Sequence, residues 1–217
     1  MKMIRNLALL VIAFTSLSLQ AQKIFTEGTL VYNIAIEADN KVAAMDEATS
    51  TILIRGTQSR ADMVSTLGTE STINDSKTGN AFILKEYSGQ KLMISLTKQN
   101  WEEKNRLLND INFETTSQTK IIAGYNCKQA IGKTKSGVVF TVYYTPDVVT
   151  VDKEYNIAFK NLPGLPVAYE VNTGKMKFNY TLAKISFDPI PSSKFDTPKS
   201  GYRVMTYDEN KKIKRGG

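Results

Sequence analysis

The chain contains no histidine and a single cysteine, Cys127. Without imidazole there is no histidine-activated serine or cysteine nucleophile, no histidine metal site and no ordinary near-neutral proton shuttle. A lone thiol closes no disulfide within the chain and builds neither a thiolate zinc site nor a two-cysteine redox centre. A phosphate-cradling loop is missing too. Gly132-Lys133-Thr134 ends like a Walker motif, but Cys127 stands where the first glycine belongs, and the segment reads as strand. No calcium-loop spacing occurs. The sequence calls for no cofactor and no metal, and no motif supplies a catalytic residue.

Positive charge is scarce in the body of the chain, although the net charge is +7. Lys2 and Arg5 belong to the N-terminal segment, and Lys211, Lys212, Lys214 and Arg215 to the last few residues, so residues 22–209 are close to neutral. A nucleic-acid reader needs a clustered basic face. None is present, and nucleic acid is not an expected partner.

The N-terminus follows the plan of a secretory signal peptide. Lys2 and Arg5 precede an apolar run from Leu7 to Phe14, extended by Leu17 and Leu19, and Ala21 offers a small residue for cleavage. The run falls short of the roughly 20 residues a membrane span requires. Gln22 follows, where a lipoprotein would carry cysteine. The expected organisation is a signal peptide 1–21, one β-rich domain 22–209 and a basic disordered tail 210–217. The expected destination is the periplasm or the exterior of a Gram-negative bacterium. No later stretch is long and apolar enough to cross a membrane. In such a compartment Cys127 is expected to be a buried structural thiol.

Period-two alternation between short turns dominates what remains. Even positions are apolar across 30–36, 92–96, 138–144 and 176–182. Further strands are expected near 50–56, 58–66, 69–75, 80–87, 114–122, 126–134 and 166–172. Ser76-Lys77-Thr78-Gly79, Ser88-Gly89, Lys135-Ser136-Gly137 and Asn172-Thr173-Gly174 have hairpin chemistry. After Leu182 the apolar residues move to the odd positions Ile185 and Phe187, which predicts a bulge near Ala183–Lys184. Helices are few: a short one over 40–48, and one capped by Asn100 that runs to Leu108 with Glu102 and Glu103 at its positive end. From Asp188, three prolines break the alternation and imply an extended segment laid against the body. The fold class is mainly β: one large twisted antiparallel sheet or open half-barrel with one or two short helices.

Two carboxylate groups stand out, Asp39 with Asp46 and Glu47, and Glu102 with Glu103. A carboxylate-based hydrolase could be built from such a pair, but paired acids at a helix start more simply complement its dipole. The most individual segment is Asn161-Leu162-Pro163-Gly164-Leu165-Pro166-Val167-Ala168-Tyr169-Glu170. Its Pro-Gly turn holds two leucines either as plugs for the core or as a binding lip.

That segment resembles the naming loop of the GLPGLI-type exported envelope proteins, a family of unknown function. Other similar pieces are Ser59-Arg60-Ala61-Asp62-Met63, Glu86 with Gly89-Gln90-Lys91, Ile122 through Lys128, Tyr143-Tyr144-Thr145-Pro146 and Phe195 through Tyr202. The resemblance implies an envelope location and a relation to the half-barrel fold of lipoprotein carriers, and it carries over no catalytic residue. The leading expectation is a non-enzymatic binding protein whose apolar sheet surface takes lipid, acyl chain or peptide. Leu162, Pro163, Gly164, Leu165, Pro166, Phe140, Tyr144, Phe178 and Tyr180 are the candidate contact residues. The alternative is an interaction protein that docks an envelope partner through a sheet edge or the 161–166 loop.

Overall fold

The computed structural model describes residues 22–216 apart from 39–40 and 174–175. Fourteen strands follow one another: β1 Lys23–Phe25, β2 Glu27–Ala38, β3 Lys41–Arg55, β4 Gln58–Ser65, β5 Gly68–Asp75, β6 Ala81–Tyr87, β7 Gln90–Leu96, β8 Asn112–Ile122, β9 Tyr125–Lys133, β10 Val139–Thr145, β11 Val148–Thr150, β12 Leu165–Asn172, β13 Met176–Ser186 and β14 Arg203–Thr206. Helix α1 spans Lys98–Asn105 and α2 Tyr207–Gly216, and 3₁₀ segments occupy Lys153–Phe159 and Ser192–Phe195. Twelve strands form one sheet in the order β14-β7-β6-β5-β4-β3-β2-β13-β12-β10-β9-β8, and β1 pairs with β11 in a small second sheet. The large sheet is mixed, because β14 lies parallel to β7 while its other pairs are antiparallel.

Register shows how the alternating sequence is used. Residues directly opposite one another share a face. Ala130, Val142, Tyr169, Tyr180, Ile34 and Ala48 form one such row. Leu30, Ile52, Ala61, Thr72, Ile83, Ile94 and Met205 form a second row on the same face. The apolar positions of β2, β7, β10 and β13 therefore do share one surface. The phase change after Leu182 appears as a bulge: Leu182 faces Tyr32, Lys184 faces Val31, and Ala183 is skipped.

Chain connectivity makes the sheet curl. β7 and β8 stand ten places apart in the order, about 48 Å in a flat sheet. The connection 97–111 includes eight helical residues and reaches about 40 Å at most. The two ends must approach each other, and the connection then crosses the inner face. Trp101 and Tyr207 pack there against Ala81, Ile83, Ile94 and Leu96. The outer face of β3–β7 is covered by the extended segment 187–202, whose Phe195, Ile190 and Tyr202 pack on Ile73, Leu84 and Met93.

Three local expectations are corrected. Residues 41–48 are strand, not helix: Lys41 and Val42 pair with Ala38 and Glu37, and cross-strand pairing overrides their helical propensity. Asp39 and Asn40 lie outside the described residues, as do the expected signal peptide and Gly174. The N-cap of α1 is Thr97 rather than Asn100. Asn100 is the return member of the capping box, so Glu102 and Glu103 fall inside the helix and not at its start. The basic tail is helical through residue 216, because Thr206 caps α2 and Glu209 closes a second capping box.

Candidate functional site

The curled sheet leaves a groove of about 750 Å³ on its inner face. β10, β12 and β13 supply Phe140, Tyr169, Val171 and Tyr180 as one wall. The 3₁₀ segment brings Ala158 and Phe159 over it, and the turn after α1 adds Leu108 and Ile111. The 3₁₀ segment is held by Asp152, whose carboxylate accepts from the Glu154 backbone N–H at 2.8 Å and from the Ser76 hydroxyl at 2.5 Å. It breaks at Asn156, where φ is −145° and the chain turns to deliver Phe159. Lys160 donates to Asn109 at 2.7 Å and Asn161 to the Ile111 carbonyl at 3.0 Å, tying the overhang to the turn after α1.

Aromatic rings line this space in a continuous chain. Phe113, Phe140 and Phe159 have centroids 6.0–6.3 Å apart. Phe159 meets Tyr169 edge-on at 4.6 Å, and Tyr169 stacks on Tyr180 at 4.6 Å with only 9° between their planes. Tyr32 continues the chain into the core and donates to the Pro166 carbonyl at 2.8 Å. Burial pushes the phenols of Tyr32, Tyr155, Tyr169 and Tyr180 up, and their mutual proximity adds to the effect at Tyr32 and Tyr169. These groups stay protonated hydrogen-bond donors across the physiological range.

Gly132 makes room for the rings. A Cβ there would lie 2.6 Å from Phe140 and 2.9 Å from Phe113. Among the described residues Glu170 is the only charged one in the lining, and Lys177 pairs with it at 2.9 Å. The facing pair of carboxylates that glycoside hydrolysis uses is not among the lining residues. No group of three or more metal-ligating side chains occurs among the described residues.

The structure separates the residues singled out in the sequence. Phe140 and Tyr180 line the groove. Phe178 stands on the same face, half-buried opposite Ile36 and Val171, beyond the lining. Tyr144 is buried beneath it and shares a 3.0 Å hydrogen bond with Thr115. Leu162 and Leu165 are each 1% exposed and belong to the core, and Pro166 is buried with them. Pro163 is exposed, while Gly164 sits so close that a Cβ would meet the Thr145 carbonyl oxygen at 2.3 Å. The 161–166 turn thus plugs the core.

Other pieces that carry the family resemblance also meet. Arg60 chelates Asp62 at 2.8 and 3.0 Å and donates to the Lys194 carbonyl at 2.9 Å. Tyr202 donates to Glu86, which Lys91 pairs at 3.0 Å. Together they fasten the extended segment to the outer face. Cys127 is 1% exposed, its Sγ is 3.4 Å from the Tyr125 carbonyl, and burial raises its pKa. Phe159 and Ile111 are groove residues the sequence did not single out, and Tyr169 stood there only as part of the 161–170 segment. They come from three separate segments, and only the fold brings them together.

No protein-family model matches the chain, and no curated protein does. Among solved structures, an uncharacterized conserved protein from Thermus thermophilus superposes with a TM-score of 0.50 at 6% identity, over 82% of this chain and 90% of that one. PNGF-II gives 0.48 at 15% identity, over 87% of this chain. A LolA superfamily protein from Nitrosomonas europaea gives 0.38 at 11% identity, over 79% of this chain and 90% of that one. The chain spans only 33% of the length of PNGF-II. These likenesses concern the fold. No helix among the described residues is long and apolar enough to cross a membrane.

Proposed function

We propose that this is an exported, non-enzymatic envelope protein that holds an acyl chain or a comparably apolar ligand in the groove beneath the 3₁₀ overhang. One observation carries the reading. The inner face of the sheet is not filled by its own side chains at β10, β12 and β13, and the space left there is walled mainly by aromatic and aliphatic groups, with Thr134, Thr141, Asn156, Glu170 and Asn172 among them. A pocket of several hundred Å³ with apolar walls and few polar groups is the usual form of a small-molecule site. Each buried CH₂ contributes about 0.8 kcal/mol, so a chain of ordinary length would bind usefully even in a groove open on one side. Docking a partner through the 161–166 loop is disfavoured because its leucines are already buried.

Protein purified from its own cells without detergent should release lipid on extraction and show a ligand-bound species in native mass spectrometry. The purified mature chain should also take up diphenylhexatriene, an uncharged apolar fluorophore, saturably and near one per chain. Absence of both co-purified lipid and saturable uptake would overturn the proposal and leave docking through a sheet edge in its place.

A further inference from the structure

We infer that the groove prefers an acyl ligand with an uncharged hydrogen-bond-accepting head, an ester or amide carbonyl, over a free fatty acid, and that the hydroxyls of Tyr169 and Tyr180 read that head. The inference rests on the groove reading above and specifies its ligand.

Tyr169 and Tyr180 both line the groove, lie directly opposite each other on β12 and β13, and stack face to face. Neither hydroxyl has a hydrogen-bond partner among the described residues. Both residues are half-buried rather than enclosed in the core. The contrast with nearby hydroxyls is informative. Tyr32 is satisfied by the Pro166 carbonyl and Tyr144 by Thr115. Tyr155 is without a partner among the described residues as well, and of these unpaired phenols Tyr169 and Tyr180 are the two that line the groove.

A tyrosine hydroxyl donates one hydrogen bond, and a carbonyl oxygen accepts two. A side-by-side pair of phenols therefore suits one carbonyl oxygen, with the hydrocarbon running along Phe140, Phe159 and Ile111. A carboxylate could accept the same two bonds, but it would bring a full negative charge. Among the described residues the groove lining contains no lysine or arginine, and its single charged residue is Glu170. An anionic head moved from water into these surroundings would lose its hydration without a cation to replace it.

The test is displacement of diphenylhexatriene from the mature chain at pH 8 by methyl laurate, N-methyl lauramide, laurate and dodecane, each below its aggregation concentration. The ester and amide should compete at concentrations about tenfold lower than dodecane, as two hydrogen bonds of ordinary net strength would give. Laurate should be the weakest of the polar competitors, and it should improve as the pH is lowered and its carboxyl group protonates. The double variant Tyr169→Phe with Tyr180→Phe keeps both rings. Measured against the variant's own fluorophore affinity, methyl laurate should fall to the level of dodecane. Laurate matching methyl laurate at pH 8, or an ester affinity unaffected by the double variant, would overturn the inference and leave the groove reading standing. Failure of the wild-type chain to take up the fluorophore would remove the groove reading itself.

Discussion

Replacing Gly132 by alanine separates groove shape from fold stability, and its cost can be worked from the contacts. The new methyl carbon would lie 2.6 and 2.8 Å from two atoms of the Phe140 ring and 2.9 Å from the Phe113 ring. Carbon atoms rest about 3.5–4.0 Å apart, so both rings must yield by about 1 Å. Gly132 lies outside the left-handed region, so its backbone accepts alanine without strain. Overpacking of this size costs about 1–3 kcal/mol, partly offset by the lower entropy of the unfolded chain. The rings can move only into the groove, because the sheet backs them. The expected result is a midpoint lower by about 2–4 °C per kcal/mol and a several-fold loss of diphenylhexatriene affinity, with two-state unfolding kept. Gly164→Ala is the control. Its methyl would meet the Thr145 carbonyl oxygen at 2.3 Å, and backbone inside a paired strand cannot step aside. That variant should be the more destabilised in urea. Equal stabilities for the two variants, or unchanged affinity in Gly132→Ala, would refute the reasoning.

Other outcomes follow from separate parts of the molecule. N-terminal sequencing of the exported protein should begin at Gln22 or at pyroglutamate formed from it. A full-length chain in the inner membrane would contradict the export reading. Cys127 should react with a thiol reagent only on unfolding, since burial both hides the sulfur and suppresses its thiolate. Rapid stoichiometric labelling of the native protein would contradict this. Tyr202→Phe should loosen the extended segment and cost about 1 kcal/mol, the partly exposed carboxylate discounting a charged hydrogen bond. The pH dependence has a defined sign. The hydrogen bond from Tyr202 and then Lys91 hold Glu86 below its ordinary pKa, so their contribution is present above about pH 4.5 and is lost as pH falls through the lowered value. The same bond raises Tyr202 to about 12, so on the alkaline side the contribution is present below pH 10 and fades as pH rises through 12. Urea titrations of wild type and Tyr202→Phe should differ less at pH 3 than at pH 7.

The sheet was legible because its evidence is local. Tyr32, Ile34 and Ile36 alternate with polar or small neighbours, and the turns carry their own chemistry, so strands and hairpins could be placed within a few residues. Even the bulge at Ala183 was visible as a change of phase. Short elements were not. β1, β11 and β14 have three or four residues each and owe their existence to a partner far along the chain. A helix over 40–48 does not form: Ala43, Ala44 and Met45 favour helix, but the pairing of Lys41 with Ala38 decides for strand. Two cap signals stand in the sequence, Thr97 with Asn100 and Thr206 with Glu209. The groove was half legible. Phe140 and Tyr180 belong to alternating strands, but Phe159 arrives on a 3₁₀ overhang whose path depends on Ser76 holding Asp152. Composition cannot show whether an apolar face is covered by its own chain or left for a guest.

The central pairing of β2 with β13 also sets an order of events. On one side of it, β2 to β7 form hairpins in sequence; on the other, β8 to β10 and then β12 to β13 do the same. Each hairpin can close once its own residues are free. The seam cannot, since Tyr32 must wait for Leu182. In a chain threaded through a membrane pore from its N-terminus, β2 keeps one bare edge until residues 176–186 have followed. Such contacts between distant residues form slowly, and an unpaired edge is where strands join wrongly. The time taken to deliver those residues is therefore the time for which a holding chaperone is most needed. Under the proposed export, the form that crosses the membrane is never the finished sheet.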